Sequence, residues 1–126
     1  MAGYIVSKGE TVIGTNLNND SMYIQKGGTA KETTAEGGFI HVSNGGKAID
    51  TTLNSHADMY VSSGGTVNST TVTDWSRLEI SKGGVASNTT LSENGSMTVF
   101  SGAKAISMVP PLEIMTLLAL PPKRFR

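Results

Sequence analysis

A glycine recurs along this chain at Gly9, Gly27, Gly45, Gly64, Gly83 and Gly102, at spacings of 18, 18, 19, 19 and 19 residues. A unit that short cannot bury its own apolar face, so six copies in step imply one unit laid repeatedly on the next. Other residues keep the same step. Five positions before the glycine stand Tyr4, Met22, Ile40, Met59, Leu78 and Met97, and three positions before it Val6, Ile24, Val42, Val61, Ile80 and Val99. The position between them is mixed: Ile5, Tyr23, His41, Tyr60, Glu79 and Thr98. This apolar, mixed, apolar order is the period-two pattern of a half-buried strand, and a helix does not produce it.

After the glycine come three further columns expected to face inward. They are Val12, Ala30, Ala48, Val67, Ala86 and Ala105; then Thr15, Thr33, Thr51, Thr70 and Thr89; then Leu17, Ala35, Leu53, Val72 and Leu91. Threonine fits a pleated surface, and each of these hydroxyls is expected to bond a neighbour one unit away. The glycine marks a corner where the chain reverses within two or three residues, which favours positive φ. A second glycine follows it in the four inner copies, with Glu10 and Ala103 in its place in the outer two. A looser polar corner, such as "NSHAD" or "TDWS", closes each unit. Stacked at the ~4.8 Å strand spacing, the units make a rod about 24 Å long over five steps. The expected fold is all-β: a right-handed parallel β-solenoid (β-helix) of about six 18–19-residue turns with an irregular C-terminal tail. Antiparallel hairpins would instead call for two-residue Asn-Gly or Asp-Gly loops and no like-on-like register.

Gly, Ser, Thr and Asn are abundant and only 16% of residues are charged, which suits disorder as well as a solenoid, but the apolar residues hold fixed columns. Ten basic residues balance ten acidic ones, and the terminal "KRFR" is short and isolated, so no nucleic-acid partner is expected. The lack of cysteine excludes disulfides and thiolate chemistry. The longest apolar run, "LEIMTLLAL", is too short to cross a bilayer of ~30 Å as a helix, so no membrane insertion is expected of this segment. The sequence does not open on a basic stretch followed by an apolar run, and no secretory signal is expected within it.

The repeat pattern ends near residue 107. Met108 and Pro110 stand where the Thr and Leu columns are due, and "MVPPLEIMTLLALPPKRFR" carries two proline pairs, which suppress regular structure around them. Residues 1–107 are therefore expected to form the solenoid and 108–126 a tail. That tail is either a cap over exposed strand edges or sequence foreign to the repeat.

The registers "GGKAIDTTLNSHADMYV" and "GGVASNTTLSENGSMTV" resemble the AIDA-type repeat of bacterial autotransporter adhesin passenger domains, and the resemblance runs over about residues 3 to 107. It implies a β-helical passenger displayed at the outer surface of a Gram-negative cell, serving self-association, biofilm formation or host attachment, and no catalysis. It also implies a glycosyltransferase partner, since some members of the family carry heptose on Ser or Thr of the repeats. The matching outward hydroxyls are Thr34, Thr52, Thr71 and Thr90, seven positions after the glycine, with Asn16 in the first copy. Ser62, Ser63 and Ser81 beside the glycine corner are alternatives.

Other chemistry finds little support. His41 and His56 are the only histidines and lie in different elements, so no metal is expected. The glycine pairs are not followed by the Gly-x-Asp of calcium-binding β-helices. Glu36, Asp58, Asp74 and Glu93 lie in or beside corners. Glycoside hydrolysis needs two carboxylates about 5 to 9.5 Å apart in a groove, which this short rod does not predict. Nucleophile-elbow and phosphate-loop motifs are absent, so no catalytic residue and no cofactor is expected. The alternative functions are a polysaccharide-acting or tailspike-type β-helix and a truncated fragment without activity. In-register stacking predicts one contact surface, an exposed stripe of Ile5, Tyr23, His41 and Tyr60 spaced ~4.8 Å apart, suited to carbohydrate, a host surface or another protomer. Trp75 stands in a polar corner as a lone exposed aromatic, a common feature of surfaces.

Overall fold

The computed structural model describes residues 3–109 and 115–118. Its strands form two parallel stacks. The first is a seven-stranded sheet in the order β1 (Gly3–Val6), β4 (Ser21–Ile24), β7 (Phe39–Val42), β9 (Asp58–Val61), β11 (Arg77–Ile80), β13 (Ser96–Phe100) and β15 (Met115–Leu118). The second is eight-stranded: β2 (Thr11–Ile13), β5 (Thr29–Lys31), β8 (Lys47–Asn54), β10 (Thr66–Val72), β12 (Val85–Leu91) and β14 (Lys104–Val109), with β3 (Asn16–Asn18) and β6 (Thr34–Glu36) continuing it beside β8. Each unit lays one strand in the first sheet and then crosses to the second before the chain climbs a rung. This is the parallel β-solenoid that the glycine period predicts.

Like residues stand on like. Met22, Ile40, Met59, Leu78 and Met97 pair rung by rung, and so do Ile24, Val42, Val61, Ile80 and Val99. Opposite them run Leu17, Ala35, Leu53, Val72 and Leu91. All are buried in one continuous cluster, and burial of each large member contributes about 1.5–3 kcal/mol. Tyr4 departs from its column: it is 40% exposed, because the first rung has a neighbour on one side only among the described residues.

The two glycines of each pair serve different ends. At the first, φ is +84 at Gly9, +82 at Gly27, +83 at Gly45 and +84 at Gly64, in a turn closed by bonds such as Gly46 N to Ser43 O, 2.8 Å. Positive φ at the third residue of such a turn is what glycine permits at no steric cost. The first glycines also bond one another up the corner, Gly27 N to Gly45 O at 3.0 Å and Gly45 N to Gly64 O at 2.9 Å. At the second glycine space is the constraint. A Cβ on Gly46 would lie 2.7 Å from Ile24 O, and one on Gly65 3.0 Å from Val42 O, both backbone atoms of the rung below. Glu10 stands on the first rung, with no such carbonyl beneath it among the described residues, and Ala103 places the smallest Cβ at this position in the sixth copy.

A third bend was not visible as a column. The Ala column and the Thr column lie three residues apart yet both face inward, which an unbroken strand with period two forbids. The structure resolves the parity with one left-handed residue between them: Gly14, Glu32, Asp50, Ser69, Asn88 and Ser107 all have φ between 55 and 75. One residue out of register rotates the remainder of the strand by one step, as a bulge does.

The inward Thr hydroxyls correct an expectation. Thr33, Thr51, Thr70 and Thr89 are fully buried, but their Oγ1 atoms have no hydrogen-bond partner. Equivalent atoms on successive rungs are separated by about the ~4.8 Å strand spacing, beyond hydrogen-bond reach. Backbone pairing continues past residue 107. Met108 and Val109 pair with Thr89 and Thr90, and β15 lies in register on β13, with Met115 opposite Met97. Residues 110–114 and 119–126, the proline pairs among them, lie outside the described residues.

Candidate functional site

The fold leaves two outward ladders that carry chemistry. On the seven-stranded sheet, the positions between the buried columns pair in register as Ile5, Tyr23, His41, Tyr60, Glu79 and Thr98. The predicted stripe is therefore assembled: Ile5 is 60% and Tyr23 37% exposed, while His41 and Tyr60 are half-buried. Its rings meet edge to face, Tyr23 to His41 at 6.2 Å between centroids and His41 to Tyr60 at 6.3 Å. Phe39, which the sequence reading passed over, joins them, 5.7 Å from Tyr23 and 6.3 Å from Tyr60. Its signal was period two, since it lies two residues before His41 and so on the same face.

Polar groups border these rings. The Tyr60 hydroxyl donates to Asp58 Oδ2 at 3.4 Å, Arg77 Nε donates to Asp58 Oδ1 at 3.4 Å, and Arg77 Nη1 lies 3.5 Å from Glu79 Oε2. Burial and the adjacent Asp58 carboxylate hold the Tyr60 phenol above its ordinary pKa. On the other side Ser62 Oγ lies 3.4 Å from His41 Nε2. Ser63 and Ser81 are exposed at the glycine corner.

On the eight-stranded sheet, Thr34, Thr52, Thr71 and Thr90 pair in register, each directly after a buried Thr or the equivalent position. The paired threonines thus divide the work, the first facing the core and the second facing outward. Thr34, Thr52 and Thr71 are half-buried and Thr90 is exposed. The left-handed bend two residues earlier opens a groove of about 360 Å³ lined by Asp50, Thr52, Ser69, Thr71, Asn88 and Thr90. Beside it Asn88 Nδ2 donates to Asn68 Oδ1 at 3.0 Å.

The corner residues are engaged structurally. Asp74 Oδ2 accepts from Ser55 N at 3.1 Å and Ser55 Oγ at 3.4 Å. His56 is exposed, and its amide donates to Asp74 O at 3.1 Å on the next rung, far in sequence from His41. Trp75 is 60% exposed and holds φ 65, an unusual value for a bulky side chain.

These features define a class: a parallel β-solenoid whose rungs are specified from within and whose outer columns repeat polar and aromatic groups at one-rung intervals. Among solved structures the chain is similar to a hyper-glycosylated fragment of TibA, residues 55–350, whose glycosylation was catalysed by TibC. The two are 35% identical, with a TM-score of 0.69 over 82% of this chain and 42% of the fragment. The chain thus spans less than half the length of that fragment. No family model and no curated protein matches it.

Proposed function

We propose that this chain is a repeat segment of the passenger domain of a bacterial autotransporter adhesin of the AIDA type, carried at the Gram-negative outer surface. Its role is structural and adhesive, in self-association, biofilm formation or host attachment, and it is not an enzyme. The observation that carries this reading is the 35% identity to the TibA fragment over 82% of the chain, with the same fold. A glycosyltransferase partner belongs to the same reading. The TibA fragment was glycosylated by TibC, and here Thr52, Thr71 and Thr90 open onto a groove lined mainly by polar groups.

Two experiments test it. Fused to an outer-membrane autotransporter barrel, the chain should make cells settle faster than the barrel alone does, and equal settling rates would count against the adhesive role. Coexpressed with TibC, it should gain mass in whole-sugar steps that are lost one by one when Thr52, Thr71 and Thr90 are changed to Val; a bare-chain mass would remove the acceptor role. Release of reducing sugar from polysaccharide would instead favour the polysaccharide-acting alternative.

A further inference from the structure

We infer that the aromatic face of the seven-stranded sheet is a binding platform for a neutral glycan. This deepens the attachment role proposed above and rests on it for its biological setting. Four rings, Tyr23, Phe39, His41 and Tyr60, are packed edge to face at 5.7–6.3 Å, so each is held by its neighbours before any ligand arrives. Prior ordering of that kind lowers the cost of binding. Aromatic surface stacks on the C–H faces of pyranose rings, and the hydroxyls of a sugar need a few fixed polar partners at the edge. Asp58, Arg77 and Glu79 supply them, already linked to one another and to the Tyr60 hydroxyl at 3.4–3.5 Å.

Area decides between a glycan and a second copy of the chain. Four-residue strands at ~3.3 Å per residue make the face about 13 Å wide, and the three steps from Tyr23 to Glu79 at ~4.8 Å make it about 14 Å long. The resulting footprint of roughly 180 Å² falls far below the ~800 Å² per partner of a stable protein interface. It is the scale of two or three sugar rings. Charge narrows the class further. Two carboxylates, Asp58 and Glu79, face one guanidinium, Arg77, which leaves one negative charge and disfavours uronate, sialate or phosphate groups.

The test is a printed array of neutral and acidic oligosaccharides probed with the purified chain, followed by titration calorimetry on the neutral oligosaccharides that bind. Neutral oligosaccharides should bind and acidic ones should not. Tyr23→Ala and Tyr60→Ala should each weaken binding about tenfold, the worth of one aromatic contact. Tyr60→Phe, which keeps the ring, should weaken it less, and Lys47→Ser at an exposed position of the opposite sheet should leave it unchanged. Tyr23→Ser at the exposed Tyr23 serves if Tyr60→Ala lowers the melting midpoint. The inference is overturned if no neutral oligosaccharide binds, if Tyr23→Ser and Tyr60→Phe/Tyr23→Ser bind as tightly as the parent, or if these changes abolish a dimer seen by sedimentation. Cell settling with no glycan binding would remove the platform and leave the adhesive role standing; glycan binding with no settling would do the reverse.

Discussion

Replacing Thr51 by Val should stabilise the protein, although it removes a polar group from a column of identical residues. The Thr51 hydroxyl is fully buried, and Oγ1 has no partner. An unsatisfied buried hydroxyl costs about 1–3 kcal/mol of desolvation, while a methyl of the same shape carries no such cost. The expected gain is about 1–2 kcal/mol, or roughly 4–8 °C in melting midpoint for a domain of this size. Thr51→Ala also removes the hydroxyl but deletes the methyl, losing about 1 kcal/mol of packing, so its gain should be small or absent. Thr70 pairs directly with Thr51, and the double Val variant should therefore depart from additivity. Urea unfolding read by circular dichroism gives the order: Thr51→Val above the parent, with unchanged m-value. A midpoint at or below the parent's would mean that the hydroxyl is satisfied in solution and that the ladder is a hydrogen-bonded feature after all.

Gly46→Ala should cost about 1–3 kcal/mol, since its Cβ would lie 2.7 Å from the Ile24 carbonyl oxygen, whereas Gly45→Asn should cost less because asparagine tolerates the left-handed φ of +83 and Lys26 can swing aside. The reverse order of urea midpoints would refute the division of labour in the glycine pair. Trp75→Gly should raise stability by about 1 kcal/mol through relief of φ 65, read as a higher melting midpoint; a lower one would mean that the exposed ring packs more than its exposure implies. The Tyr60 phenol, held above its ordinary pKa by burial and by Asp58, favours the neutral form in the fold. Its contribution is therefore complete below about pH 10, the unfolded value, and is lost as pH rises through the higher folded value. Tyr60→Phe should flatten the fall of stability above pH 10, and an unchanged alkaline limb would refute this.

The stacked fold was legible because its constraints recur at every rung. One glycine column requires positive φ, two strand columns require apolar side chains, and any lapse would be repeated or capped, so the sequence pattern and the register coincide from Tyr4–Met22 to Leu78–Met97. The exposed stripe and the Thr ladder followed directly, since a parallel register copies position as well as direction. The left-handed bend escaped because its residues, from Gly14 to Ser107, share a backbone angle and no side-chain chemistry. Only the odd spacing of two inward columns betrayed it. The bend matters for the site, because it turns Asp50, Ser69 and Asn88 to the same side as Thr52, Thr71 and Thr90 and so makes the groove. Phe39 was missed for the opposite reason: its column is Gly3, Ser21, Phe39, Asp58, Arg77 and Ser96, and a single ring in a polar column looks incidental until its neighbours are placed.

Separation of the inward code from the outward columns bears on how such a segment works. The core columns and corner glycines leave little freedom, whereas the outward positions carry Ile, Tyr, His, Glu and Thr in one column without disturbing the register. An outward contact therefore need not be strong. A group repeated at ~4.8 Å meets a repeating ligand several times over, and once one rung is engaged the next binds at high effective concentration. A glycan chain on Tyr23, His41 and Tyr60, or a transferase working along Thr52, Thr71 and Thr90, would each exploit that repetition. Loss of an end rung should weaken either interaction by about its own contact, whereas loss of a middle rung, His41 or Thr71, should cost more because it separates the rungs on either side.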